Sequence, residues 1–188
     1  ILRRLVGSEM CIRDRLYHLN LGDPVLDGGA QFNAPVKRLV PRNAHAASSL
    51  NGWNNYPAPQ PGIEEQVYFM SMYADEKQKT LALLKNAHST HGCCLRYDTT
   101  SLPYFSLWKN PTAFEDGYVT GLEPGTNFPN PRSFEGDHKR FIPLAPGEQT
   151  QLGFTLELLD SEEAISARDQ EIATLQKEGE TQVDAEPA

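Results

Sequence analysis

Two residues stand out as candidates for moving a proton. His18 sits in the run Tyr17-His18-Leu19-Asn20-Leu21-Gly22, and Glu123 sits in Gly121-Leu122-Glu123-Pro124, where an apolar residue would continue the pattern. Imidazole exchanges its proton near neutral pH. A carboxylate withdrawn from water has a raised pKa, the condition a general base needs. Taken singly, each residue also fits a plain role, His18 as a satisfied strand residue and Glu123 as a solvated strand end. A second cluster, His88, His91, Cys93 and Cys94, falls within seven positions, a set that can bind zinc. On a strand, however, His91 and Cys93 face one side and Cys94 the other. No acidic residues stand nearby to support such ligands, so the cluster reads as a turn followed by a strand, with no metal.

The elements that must position these residues are strands. Leu16–Leu21, Val36–Val40, Gln66–Tyr73, Lys79–Leu84, Gly92–Tyr97, Tyr104–Trp108, Tyr118–Leu122, Phe141–Leu144 and Gln149–Leu158 have β composition or period-two alternation, with turn signals between them. This pattern predicts an all-β sandwich or barrel. Residues 43–63 are rich in Asn, Ala, Ser, Pro and Gly and predict a long loop, of the kind that is functional or mobile. Residues 124–138 are again turn-rich. A helix is expected from Ser161 to about Lys177, stopped at Gly179. Its apolar positions, Ile165, Ile172 and Leu175, are sparse, which predicts light docking and a disordered tail beyond.

The 188 residues are enough for one domain with a sizeable core. Hydrophobic content of 39% and charged content of 22% are ordinary for a globular protein. No apolar run is long enough for a transmembrane helix. The net charge is −8, unevenly spread: residues 161–188 contribute −6, residues 1–15 contribute +2, and the middle −4. A mildly acidic middle disfavours nucleic acid and anionic membrane as partners. Of the three cysteines, Cys93 and Cys94 are neighbours, a poor geometry for a mutual disulfide. A reducing, cytoplasmic setting is expected.

Residues 5–15 read LVGSEMCIRDR. This string resembles one translated reading frame of a transposon-end adaptor used to prepare sequencing libraries. Residues 1–15 are therefore expected to be an artefact and are set aside from the fold, and the native protein is expected to begin well before Leu16. The division is 1–15 adaptor-derived, 16–160 a partial β-sandwich, and 161–188 an acidic helix and disordered tail.

His18 and Glu123 together bring a family into view. The chain resembles the aldose 1-epimerase, or galactose mutarotase-like, family, which carries a His in a strand motif and, further on, a Glu in a Leu-Glu strand end. It is closer still to a less characterised branch, through Tyr17–Gly22, Pro41-Arg42, Glu65–Phe69, Trp108-Lys109 and Gly121–Pro124 in that order. The likeness spans roughly residues 16–158. It implies the C-terminal part of a galactose mutarotase-like β-sandwich (a supersandwich) with a short C-terminal helix. It implies interconversion of the anomers of an aldose or related sugar without cofactor: Glu123 takes the anomeric hydroxyl proton, His18 protonates the ring oxygen, and the two stand on different sides of one pyranose ring. Asn20, Glu65, Trp108, Lys109 and Asn127 are the expected substrate-binding residues, with Trp108 stacking on a sugar face and Lys109 binding a hydroxyl or phosphate. The match at Glu65 departs from the better-known members, which carry Asp-His where this chain has Glu-Gln. Those members also carry a further His and an Arg in an N-terminal half without counterpart here, so the chain is expected to be aggregation-prone and inactive as it stands. A soluble, cooperatively melting monomer would contradict that expectation. The alternatives are a non-catalytic carbohydrate-binding β-sandwich and a structural domain of a larger carbohydrate-processing enzyme.

Overall fold

Alternation along the strands decides which side chains leave water, and the sandwich follows from it. The computed structural model describes residues 2–6 and 11–187. In chain order these form β1 (Leu2–Val6), β2 (Cys11–Arg13), β3 (Leu19–Leu21), β4 (Gln31–Asn33), β5 (Val36–Pro41), α1 (Ala44–Ala47), β6 (Gln66–Met72), β7 (Lys79–Lys85), β8 (Gly92–Asp98), β9 (Tyr104–Asn110), β10 (Val119–Gly125), α2 (Arg132–Asp137), β11 (Ile142–Leu144), β12 (Gln149–Leu159), α3 (Glu162–Gln176) and β13 (Gln182–Val183). One sheet runs β1-β12-β8-β7-β4, the other β13-β5-β6-β9-β10-β3, and β2 pairs with β11 separately.

The core lies between the two large sheets. Phe32, Leu84, Leu95 and Tyr97 from one sheet meet Leu39, Tyr68, Met70, Phe105, Leu107 and Leu122 from the other. Burying each such side chain stabilises the fold by roughly 1.5–3 kcal/mol. The opposite face of the five-stranded sheet is covered by α3. Ile165 and Ile172 are buried there against Leu81, Leu83, Cys94 and Leu159. Ser161 caps this helix by accepting from the Ala164 N–H at 3.3 Å. Few apolar residues dock it, as expected, but charge reinforces the contact. Lys85 Nζ lies 2.6 Å from Asp169, and Arg96 bonds both Glu157 on β12 and Glu171 on α3.

The sequence reading differs from the structure in several places. Gln31–Asn33 is a strand that no run of β-formers announces. The tail after α3, expected to be disordered, instead pairs in parallel with β5, Gln182 beside Arg38 and Val183 beside Leu39, and Asp184 bonds Arg38. Within the segment set aside as an artefact, β1 pairs with β12 and β2 with β11, while residues 1 and 7–10 lie outside the described residues. The long stretch 43–63 is anchored at several points. Tyr56 is buried and its hydroxyl is 2.7 Å from Thr120 Oγ1, while Tyr118 donates to the Pro57 carbonyl at 2.7 Å. Among the described residues, no helix is long and apolar enough to cross a membrane.

Candidate functional site

The six-stranded sheet has a second face, turned away from the core, and the candidate residues line up across it in rows. Strand register places Trp108 opposite both Val67 and Gly121, and Asn20 opposite Gly121. The next row along reads Val40, Phe69, Ser106 and Glu123, with His18 completing it at the β3 edge. Alternation puts Phe105, Leu107 and Leu122, the neighbours of these residues in sequence, into the core.

His18 Nε2 lies 2.9 Å from Glu123 Oε1. The imidazole is half exposed while the carboxyl is only 4% exposed, so one partner reaches solvent and the other is enclosed. Burial pushes the Glu123 pKa up to about 7; the Arg42 charge pulls it down and the Glu65 charge pushes it up. A carboxyl so placed holds or releases a proton near neutral pH. The sequence resemblance implied acid and base on different sides of one ring. In the structure they touch, and no ring fits between them. They can still serve one carbon, because the ring oxygen and anomeric oxygen of a sugar are bonded to the same atom and lie closer together than hydrogen-bonded neighbours do.

Trp108 stands over this pair. Its ring meets His18 edge to face at 5.6 Å, and its Nε1 donates to Glu65 Oε2 at 2.7 Å. The other Glu65 oxygen lies 3.7 Å from Arg42 Nη1. Glu65 is therefore at the site, with both oxygens facing protein groups. Asn20 is exposed on the same face, one row from His18.

Lys109 and Asn127 are not brought to this face. Lys109 follows Trp108 on a strand and so points the opposite way, into the core, where it is 2% exposed. Its Nζ donates to the Trp53 and Asn55 carbonyls, both at 2.8 Å, and lies 4.9 Å from the centre of the Tyr56 ring. Burial lowers its pKa to about 8. It ties the 43–63 stretch to the sheet and has no open side for a ligand. Asn127 is buried, its Nδ2 donating to the Phe128 carbonyl and its Oδ1 beside Thr126 Oγ1. It shapes the loop after β10. That loop is held by buried Glu135, which accepts from Asn130, Arg140 and the Phe128 N–H. It lays Phe128 on Phe69 at 4.6 Å and on Tyr104 at 4.7 Å. A groove of about 490 Å³ beside this aromatic pile includes Val40, Phe69 and Phe128, continuing the row that holds Glu123. The larger groove, about 1070 Å³, lies across the other sheet beside α3. Within it Lys79 pairs with Asp98 and Arg96 with Glu171, and Asp75 accepts from the Lys77 and Lys79 N–H groups. The buried thiols Cys93 and Cys94 are pushed up to about 11 and about 12 by burial.

Residues 9–158 match a family described as "Domain of unknown function (DUF4432)". The chain belongs to this family. No curated protein matches the DUF4432 chain. Among solved structures, it is similar to one from Klebsiella pneumoniae subsp. pneumoniae described as a "putative aldose 1-epimerase". The two share 34% identity over 97% of this chain, with a TM-score of 0.94. A galactose mutarotase-like protein from Clostridium acetobutylicum shares the fold at 16% identity over 85% of this chain, with a TM-score of 0.54. A TPR-domain containing protein from Parabacteroides distasonis does so at 15% over 85%, with a TM-score of 0.53. The fold is thus the galactose mutarotase-like β-sandwich, with a C-terminal helix. The chain spans 48% of the Klebsiella chain, 52% of the Clostridium chain and 28% of the Parabacteroides chain.

Three residues of the candidate site in this DUF4432 chain escaped the sequence reading. Gly121 is where three site side chains converge: an added Cβ would lie 2.6 Å from Glu123 Oε1, 2.9 Å from His18 Cε1 and 3.3 Å from Trp108 Cε3. A glycine inside a strand signals such a close approach. Arg42, quoted only as half of a motif, faces Glu65 and favours ionised Glu123. Ser106 is buried in the Glu123 row, and nothing in its sequence context marks it.

Proposed function

We propose that this protein interconverts the anomers of an aldose or related sugar through the Glu123–His18 pair. The observation that carries this reading is a buried carboxyl with pKa near 7 in direct contact with a half-exposed imidazole. The 34%-identical Klebsiella neighbour supports it. In the reactive form Glu123 is ionised and His18 protonated. Glu123 accepts the proton of the anomeric hydroxyl, and its electrons form the carbonyl at C1. The bond from C1 to the ring oxygen breaks, and His18 gives its proton to that oxygen. Rotation about C1–C2 presents the other face of the aldehyde. Closure returns both protons, so nothing is oxidised, reduced or consumed. Trp108, steered by Glu65, offers an apolar surface for the sugar, and Asn20 an amide for a hydroxyl. A reducing, cytoplasmic setting goes with this reading.

Polarimetry and exchange NMR on freshly dissolved aldoses test it. Anomer exchange above the spontaneous rate is expected, and Glu123→Gln should lower it by roughly 10²–10⁴-fold while leaving sugar affinity within a few-fold. Sugar binding without exchange would instead make this a carbohydrate-binding module. Neither binding nor exchange across a panel of aldoses would remove the sugar reading altogether.

A further inference from the structure

Ser106 presents an unexplained cost. Its hydroxyl is buried and has no hydrogen-bond partner among the described residues, and the residue is 1% exposed. A buried hydroxyl without a partner destabilises the fold, whereas alanine at the same place would not. Its surroundings narrow what it could serve. Across β6 it faces Phe69, an apolar ring covered by Phe128. Across β10 it faces Glu123 directly. Side chains opposite each other on one face of an antiparallel pair lie within reach of contact. Glu123 is therefore the acceptor beside it in the row.

In the resting structure Glu123 Oε1 already has His18 at 2.9 Å. A sugar whose ring oxygen takes the His18 proton draws that donor away, and the anomeric hydroxyl that replaces it engages only one of the two carboxylate oxygens. Resting on the anomer-exchange reading, we infer that Ser106 is a positioning residue for Glu123, its hydroxyl turning to donate to the carboxylate when the substrate engages His18. Being enclosed, the hydroxyl acts through Glu123 and does not touch the sugar. A serine hydroxyl needs only rotation about its own bonds to change partner.

The test removes His18 in place of the substrate and follows Glu123 by carbon-detected NMR titration, with no sugar present. In His18→Ala, adding Ser106→Ala should raise the Glu123 midpoint by about one pH unit, the size of a charge-assisted hydrogen bond. With His18 in place the same substitution should move it less. In the same His18→Ala background Ser106→Thr should leave the midpoint where serine has it and Ser106→Val, close to threonine in shape, should match Ser106→Ala, a pair that separates hydroxyl from volume if alanine disturbs the fold. The lower limb of the pH profile for exchange should shift in step. An unmoved midpoint in His18→Ala/Ser106→Ala, or equal midpoints for Thr and Val, would overturn the inference. Absence of anomer exchange in the wild type would defeat the catalytic reading while leaving the titration result standing.

Discussion

Neutralising Glu123 should stabilise the protein while destroying its chemistry, and the gain should depend on pH in a defined sense. The folded-state pKa is raised from 4.5 to about 7, chiefly because burial disfavours the charged form. Between these values the folded chain holds a proton that the unfolded chain has released. Stability from this group is therefore full below about pH 4.5 and lost as pH rises through 7. At about 1.4 kcal/mol per pH unit, that interval comes to about 3 kcal/mol. A protonated His18 at 2.9 Å offsets part of it, so the figure is an upper one. Glu123→Gln keeps the shape and removes the titration. Urea unfolding of both proteins at pH 4.5 and pH 8 measures the difference. Near-equal stability at the lower pH, and a variant more stable by about 1–3 kcal/mol at the higher, is expected. An advantage of the same size at both values would mean that Glu123 is not held near neutrality by burial, and the general-base argument would lose its footing.

Other perturbations separate site from scaffold. Gly121→Ala should cut anomer exchange at least tenfold by forcing Glu123 and His18 apart, with a stability cost of about 1–3 kcal/mol seen in denaturant titration. Lys109→Met should destabilise by roughly 2–4 kcal/mol, because the Trp53 and Asn55 carbonyls lose their donor, yet leave sugar affinity at saturating protein unchanged. The Lys109 amine, lowered from 10.5 to about 8, contributes stability that rises with pH across that interval, and the variant should lack this rise. Glu135→Ala strands the Arg140 charge and should cost about 3–5 kcal/mol, with loss of the Phe128 ring-current shifts on Phe69 and Tyr104 in the NMR spectrum.

The sequence was most informative where period and composition agreed. β6 to β9 and β12 carry enough β-branched, aromatic and leucine residues to mark themselves, and their observed bounds differ from the expected ones by at most two residues. The His18–Glu123 pairing came from resemblance; its contact distance did not, because adjacency across β3 and β10 depends on a register that no local residue encodes. The strand period did hold one overlooked clue. Trp108 and Lys109 are neighbours on a strand and cannot both face the same ligand, so one of them had to belong to the core. Asn127 was assigned from its place in a motif, whereas the turn after β10 uses its amide to satisfy its own backbone. The short strands β4 and β13 gain their hydrogen bonds from distant partners, β7 and β5, and leave little signal in three and two residues.

The paired thiols of Cys93 and Cys94 turn the middle of the five-stranded sheet into a clock. Both side chains are fully enclosed, and burial keeps them as unreactive thiols. Cys94 faces α3 and its neighbour Cys93, by strand alternation, faces the other side of β8, so the two sulfurs meet an alkylating reagent through different openings. In a Cys11→Ser background, the labelling rate of a cysteine reagent would report how often this layer comes apart. Undocking of α3 alone would bare Cys94, so chains labelled once at Cys94 should precede doubly labelled ones, whose appearance marks the opening of the sandwich.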